Sequence, residues 1–390
     1  MTRLGEGAGA RPGPEPDVAR PDPRQVLAAL ADDGPDEMGR DLAGAADVVE
    51  ATLIEVERLR PRLEALFGGG AGAVLVGTGT SLAVAQAAAP AWLRARRQAG
   101  EEPSLVVRES AAAVLGPADG RVWRAGDLVV AISKSGTSPE TLAAARQAAD
   151  AGCTVVAVTA DQTSRLASVA ALVVPTPIGQ EGGAGTRSAT AALAALFAIP
   201  DGGALGSAAQ AALVGRLRAT VGSWDTVVPA GLRLAAASQT WIIGLGTGVG
   251  LAQVAGILWH EKVRRSAVAL SISEFRHGPI EAVRAGDAVV VVDADGPLPV
   301  RAAYLELLRS ELEKLGAFVV WVSAATPPGV TGVRLTDGGT AATTGGPSPA
   351  MALEALVRLE QLARAAAHAA GTYRDGFAVL REIVKPATGL

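Results

Sequence analysis

Residues 73–86 read AVLVGTGTSLAVAQ, an apolar run, a glycine turn and then a helical pattern. Residues 241–253 read WIIGLGTGVGLAQ, the same shape again. Gly77 answers Gly244, Gly79 answers Gly246, Thr80 answers Thr247 and Gln86 answers Gln253, all at an offset of 167 residues. Further pairs keep the order. VVRES (106–110) answers SISEF (271–275), setting Glu109 opposite Glu274. GDLVVAIS (126–133) answers GDAVVVVD (286–293), and AGCTVVAVTA (151–160) answers LGAFVVWVSA (315–324). The offsets stay between 160 and 167, which marks a tandem duplication. Strands that are apolar almost throughout are buried on both sides, as in a parallel sheet covered by helices. The expected fold class is therefore α/β, with two tandem doubly wound parallel sheets and ligands beyond the carboxyl ends of the strands.

Outward from this repeat, residues 37–66 have helical periodicity with early acidic residues and read as a leading helix. Residues 1–36, rich in Pro, Gly and charge, read as a disordered tail. The expected division is that tail, a first domain over 37–214, a second over 215–370, and a C-terminal tail over 371–390. At 390 residues and 49% apolar, the chain can bury substantial cores. No run reaches the roughly 18 apolar residues of a membrane span, and the N-terminus lacks the apolar segment of a secretory signal. A net charge of −4 makes no electrostatic case for nucleic acid or an anionic membrane. Cys153 is the sole cysteine, which excludes an intramolecular disulfide and Cys-rich zinc sites. A cytoplasmic protein without nucleic-acid or membrane partners is expected.

VVAISKSGTSPET (129–141) crowds Ser133, Lys134, Ser135, Gly136, Thr137 and Ser138 into a strand-to-helix turn. Hydroxyls donate to phosphate oxygens, and Gly136 would let the backbone approach a ligand. Pro139 suits the first turn of a helix, whose free N–H groups favour an anion. The competing reading is an ordinary capped helix, which needs only one hydroxyl. The second copy favours phosphate, because its turn VVDADGPLPV (291–300) keeps the strand and has no serines. GTGTS (77–81) adds Thr80 and Ser81, yet fails as a dinucleotide fingerprint because Leu82 takes the third-glycine place. Residues 244–250 fail likewise at Val249, and no nucleotide loop of the GxxxxGK[ST] type occurs. These failures count against a nucleotide-dependent enzyme. EGGAGTRSAT (181–190), which contains Thr186, is another hydroxyl-rich turn, and its glycines suggest a loose wall.

LWHEKVRRS (258–266) closes the helix begun at the second glycine turn and offers Glu261, either as a general base or as a plain helix-surface carboxylate. In EFRHGP (274–279), Gly-Pro follows His277 as a rigid turn that aims the imidazole. His260 and His368 sit in helical pattern, and three scattered histidines make no metal site. Neither a metal nor an organic cofactor is expected.

These stretches, in this order, resemble the sugar isomerase (SIS) family in its tandem form, which includes amino-sugar-phosphate isomerising synthases, deaminases and deglycases. The resemblance covers roughly residues 37–390. It implies a phosphate loop on Ser133, Lys134, Ser135, Gly136 and Ser138, helped by Thr80 and Ser81, with Thr186 in the turn beside the sugar. It implies Glu261 as acid/base, His277 as a ring-opening residue reaching the neighbouring subunit's site in a homodimer, and Lys385 in IVKPATGL as an amine catalyst. The implied substrate is a phosphorylated sugar. The implied chemistry is isomerisation with deamination or deglycation of an amino-sugar phosphate or amino-acid–sugar 6-phosphate. The alternative is a non-catalytic phosphosugar sensor. The isomerising synthases begin with a glutaminase domain and its cysteine, whereas this sequence starts Met1-Thr2-Arg3, so glutamine-dependent synthesis is not expected. Leu258 stands where those synthases carry a lysine.

Overall fold

The computed structural model describes residue 30 and residues 36–67, 72–98, 100, 104–116, 122–200, 207–296, 298–325, 330–335 and 346–377. Nearly all of the expected N-terminal tail, and Lys385, lie outside the described residues.

Strands β1 (Ala73–Gly77), β2 (Leu105–Glu109), β3 (Leu128–Ile132), β4 (Thr154–Thr159) and β5 (Leu172–Pro175) form one parallel sheet in the order β2-β1-β3-β4-β5. Strands β6 (Thr240–Leu245), β7 (Ala267–Ser271), β8 (Ala288–Asp293), β9 (Phe318–Ser323) and β10 (Thr331–Arg334) form a second, in the order β7-β6-β8-β9-β10. Counted within its own half, each sheet has the same 2-1-3-4-5 order, a doubly wound arrangement whose switch point lies between its first and third strands. β1 and β3 are buried at every position, as their apolar runs require.

The strand register corrects one pairing of the repeat. Gly77 pairs with Glu109, and its equivalent Gly244 pairs with Ser271, so Glu109 answers Ser271 rather than Glu274. Both ends cap a short helix. Glu109 accepts from Ala112 N, and Ser271 forms a capping box with Glu274. Acidic capping at two nearby positions produced the apparent match.

The helices are α1 (Glu37–Ala43), α2 (Ala45–Phe67), α3 (Thr80–Gln98), α4 (Ser110–Val114), α5 (Pro139–Asp150), α6 (Arg165–Val169), α7 (Arg187–Ala198), α8 (Ser207–Val221) and α9 (Val227–Ala236). They continue with α10 (Thr247–Leu258), α11 (Ile272–Arg276), α12 (Pro299–Leu315) and α13 (Pro349–Ala369). The expected single leading helix is broken at Gly44, because Arg187 takes the carbonyl oxygens of Arg40 at 2.6 Å and Asp41 at 3.2 Å. A Cβ on Gly44 would press on that guanidinium at 3.0 Å. The expected domain division at 214/215 falls inside α8.

The halves join through equivalent helices. α3 and α10 cross where Gly250 meets α3, and a Cβ there would lie 2.2 Å from Ala87 N and 2.4 Å from Ala83 O. That small-residue contact merges the inner faces of both sheets, including Val130 and Val290, into one continuous core. α13 runs through it, buried without interruption from Met351 to Ala367.

Candidate active site

A cavity of about 250 Å³ opens at the carboxyl ends of the first sheet. Thr78, Thr80 and Ser81 bound it after β1, Lys134 after β3, Thr176 after β5, and Ser188 at the start of α7. It thus sits at the topological switch point, where adjacent strands send their connections to opposite faces.

Of the hydroxyl loop, Lys134 lines this cavity, whereas Ser133, Ser135, Gly136 and Ser138 are not on its wall. Ser138 is the N-cap residue of α5, followed by Pro139, and its side chain makes no capping bond. Instead its hydroxyl pairs with that of buried Ser133 at 3.0 Å, while the Ser135 and Thr137 hydroxyls pair at 2.8 Å. The capped-helix reading therefore fails here, since the Ser138 hydroxyl is not spent on the helix it opens. Gly136 is needed for a reason other than ligand approach. Its φ is +59°, and a Cβ there would lie 2.1 Å from Ser164 Oγ.

Lys134 Nζ lies 2.5 Å from Glu181 Oε2. Glu181 is fully buried and also accepts from Thr186 N at 3.0 Å, Ser188 N at 2.7 Å and the Ser188 hydroxyl at 2.8 Å. It organises the whole turn before α7, and sequence reasoning passed over it. Its only signal was an acid heading EGGAGTRSAT. Thr186 does not line the cavity; its buried hydroxyl reaches Asp41 Oδ2 at 3.4 Å. The glycines of this turn tighten it rather than loosen it. A Cβ on Gly182 would lie 2.5 Å from Glu37 Cβ, and one on Gly183 would lie 2.8 Å from Gly376 Cα.

Glu261 lies in a π turn (Trp259–Val263) that extends α10 and ends at left-handed Arg264, whose N–H donates to Trp259 O at 2.8 Å. Such wide turns recur at functional sites. Glu261 Oε2 is buried and makes no hydrogen bond among the described residues. Burial pushes its carboxyl up to about 7, with Glu181 adding to the rise and Lys262 opposing it. Glu261 is not on the cavity wall; it is within electrostatic range of Glu181, whose charge helps raise its carboxyl. His277 is exposed at the C-cap of α11, also off the wall. Of the other histidines, His260 Nε2 accepts from Ala267 N at 3.2 Å and His368 bonds Asp36 at 3.0 Å. Among the described residues no three His, Cys, Asp or Glu side chains gather as metal ligands would.

The family model described as the SIS domain matches residues 111–199, which include β3, the hydroxyl loop and the Glu181 turn. Residues 111–199 form a SIS domain. Glutamine–fructose-6-phosphate aminotransferase (isomerizing) of Zymomonas mobilis is 30% identical over 190 residues, 45% of this chain and 31% of that protein. The chain therefore spans about a third of the length of this relative. Two solved structures share this fold over most of the chain. One is the C-terminal domain of glucosamine-fructose-6-phosphate aminotransferase from Francisella tularensis, with TM-score 0.70 and 18% identity, covering 88% of this chain and 98% of that one. The other is tagatose-6-phosphate ketose/aldose isomerase from Escherichia coli, with TM-score 0.73 and 20% identity, covering 85% and 92%. At such identities the likeness is one of fold.

The second sheet has the equivalent mouth, filled from within. Its switch point lies between β6 and β8, where Asp295 Oδ2 accepts from Thr247 N at the start of α10 at 3.2 Å. Arg301 holds Asp295 at 2.8 Å and Asp293 at 2.7 Å. A Cβ on Gly246 would lie 2.0 Å from Asp295 Oδ2, so the carboxylate rests directly on the glycine turn. Where the first unit offers hydroxyls and a lysine, the second supplies its own anion.

Proposed function

We propose that this protein is a phosphosugar-binding enzyme of the isomerase type, acting on an amino-sugar phosphate or amino-acid–sugar 6-phosphate with deamination or deglycation. The observation that carries this reading is the hydroxyl loop after β3, where Ser138 opens a helix without capping it and shares its hydroxyl with Ser133 instead. Ser133, Lys134, Ser135 and Ser138 would hold the phosphate, helped by Thr80 and Ser81, which line the cavity with Lys134. Anchoring the phosphate places the reacting carbons without contributing to the chemistry itself.

Glu261 is the proposed acid/base. A carboxyl near 7 is half ionised at neutral pH, so it can take a proton and return it. On an open-chain aldose it removes the C2 proton, the C–H electron pair forms the C1–C2 double bond, and the carbonyl oxygen gains a proton. Returning a proton to C1 while the C2 hydroxyl loses its own gives the ketose. Where C2 bears nitrogen, the same step gives an imine that water hydrolyses, releasing ammonia or the amine. His277 would open the ring from the partner of a homodimer, and Lys385 remains the proposed amine catalyst. The proposed compartment is the cytoplasm, and no helix among the described residues is long and apolar enough to cross a membrane.

The test is a panel of 6-phosphosugars in deuterated water, with wild type and Glu261→Gln. Solvent deuterium entering C1 or C2 in wild type alone supports the reading; equal turnover by both removes Glu261 from the mechanism. A non-catalytic sensor is favoured by one observation, that Glu261 does not line the cavity. Tight sugar-phosphate binding with no exchange in wild type would decide for it.

A further inference from the structure

Lys262 follows Glu261 in the π turn and is 1% exposed. Its ammonium donates to Arg374 O at 3.2 Å and Gly376 O at 3.3 Å. It also lies 5.5 Å from the ring centre of Tyr373 and 5.8 Å from that of Phe377. Burying an ammonium costs several kcal/mol unless its donors and charge are matched. A methionine would fill the same volume without that cost, so the charge calls for a role. A nucleophilic role is excluded by geometry, because the nitrogen is committed to carbonyls and rings and does not line the cavity.

The segment over 373–377 that it grips is strapped to α1 as well. Tyr373 Oη accepts from Met38 N at 3.1 Å, Asp375 Oδ1 from Glu37 N at 2.9 Å, and Glu37 Oε2 from Gly376 N at 2.6 Å. The same Glu37 oxygen accepts from Gly183 N at 3.1 Å, in the turn that borders the cavity. Glu37 therefore ties the cavity turn to this segment, and Lys262 ties the segment to the turn bearing Glu261. We propose that Lys262 is a positioning residue, a clamp that fixes the 373–377 segment against Glu261 and supplies the positive charge beside that carboxyl. This rests on the reading of Glu261 as the acid/base.

The charged surroundings are mixed. Glu37 from α1, Asp375 from the segment and Glu261 from the same turn favour the ammonium, while Arg264 and burial oppose it. Glu181 faces Glu261 from the cavity turn. On the packed α13, Arg364 and His368 are engaged with Asp36, and Glu360 is fully buried, feeling the charges of Glu181 and Asp41.

The test uses the full chain and Lys262→Met. Amide exchange over 373–377 is expected to rise about tenfold or more while the strands of both sheets keep their protection. The Glu261 carboxyl, followed by carbon NMR, is expected to titrate higher. Binding of inorganic phosphate is expected to change less than about twofold, since the clamp touches none of the phosphate loop. If Lys262→Met does not fold, Glu37→Gln keeps an acceptor oxygen and removes one counter-charge; it is expected to loosen the same segment and spare the strands. Lys262→Arg is expected to bring the Glu261 titration back towards wild type. Unchanged exchange over 373–377, or a rise spread evenly through both sheets, overturns the clamp. None of these readouts needs turnover, so an inactive wild type would defeat the proposed reaction and leave the clamp to stand or fall separately.

Discussion

Replacing Glu261 with Gln tests whether burial has raised its carboxyl, independently of any substrate. The group is pushed up to about 7 from an ordinary 4.5. Between those values the folded protein holds the proton more tightly than the unfolded chain does. The stabilisation is complete below about 4.5, declines as pH rises through the window, and is gone above about 7. Each tenfold difference in proton affinity is worth about 1.4 kcal/mol. Wild type therefore loses up to about 3 kcal/mol across the window relative to the variant, an upper bound because the side chain is partly open to water. Glu360, fully buried and also raised by desolvation, titrates in both chains and cancels in the difference. Urea unfolding of both proteins at several pH values from about 4.5 to 8.5 gives the difference directly. The expected curve favours Glu261→Gln increasingly up to about pH 7 and is level beyond. A difference independent of pH would mean that Glu261 ionises as an ordinary carboxylate, and the proposed acid/base would lose its physical basis.

Gly136→Ala places a non-glycine at positive φ and a methyl against Ser164, and is expected to cost about 2–4 kcal/mol in chemical unfolding. Adding Ser164→Gly removes the clash and is expected to recover all but about 1–2 kcal/mol, the backbone part; no recovery would refute the steric account. Ser133→Ala and Ser138→Ala each remove one donor to a bound phosphate and are expected to weaken sugar-phosphate binding about tenfold to hundredfold in calorimetry. Each also breaks the Ser133–Ser138 hydroxyl pair and is expected to cost about 1 kcal/mol in unfolding, with no loss of a helix cap. Titration with inorganic phosphate is expected to saturate at one per chain, since Asp295 already occupies the second mouth; a second equivalent would show that the carboxylate yields its place.

The duplication made the fold readable, because strands without a polar face and two glycine turns at one spacing leave few other architectures. The crowding of hydroxyls was legible because residues 133–138 are close in sequence, while the pairing of Ser133 with Ser138 emerged only in the structure. Features set by distant partners were not. The break at Gly44 depends on Arg187, far along the chain, and the periodicity of residues 37–66 carries no sign of it. Glu181 looked like a loop acid because its cation, Lys134, arrives from another strand end. The π turn at Glu261 follows from one extra residue in a helical turn, which hydrophobic spacing does not register. Glu109 and Glu274 were paired because both cap helices, and only strand register separates the two positions.

The filled mouth of the second copy bears on the first. A carboxylate resting on the N-terminus of α10 is favoured by the free N–H groups and the helix dipole there, and being part of the chain it competes with outside anions at high effective concentration. Asp295 thereby fixes the start of α10, while Gly250 seats the same helix on α3, whose own start borders the cavity. With its start pinned and its middle seated, α10 has little freedom left at its far end, where the π turn carries Glu261 and Lys262. The second copy fills its own mouth with Asp295, and its helix holds a carboxyl within electrostatic reach of Glu181 in the first. On the proposed reading, anchoring by one half and proton transfer by the other fit this asymmetry, and two open mouths would have left the helix that joins them less firmly held.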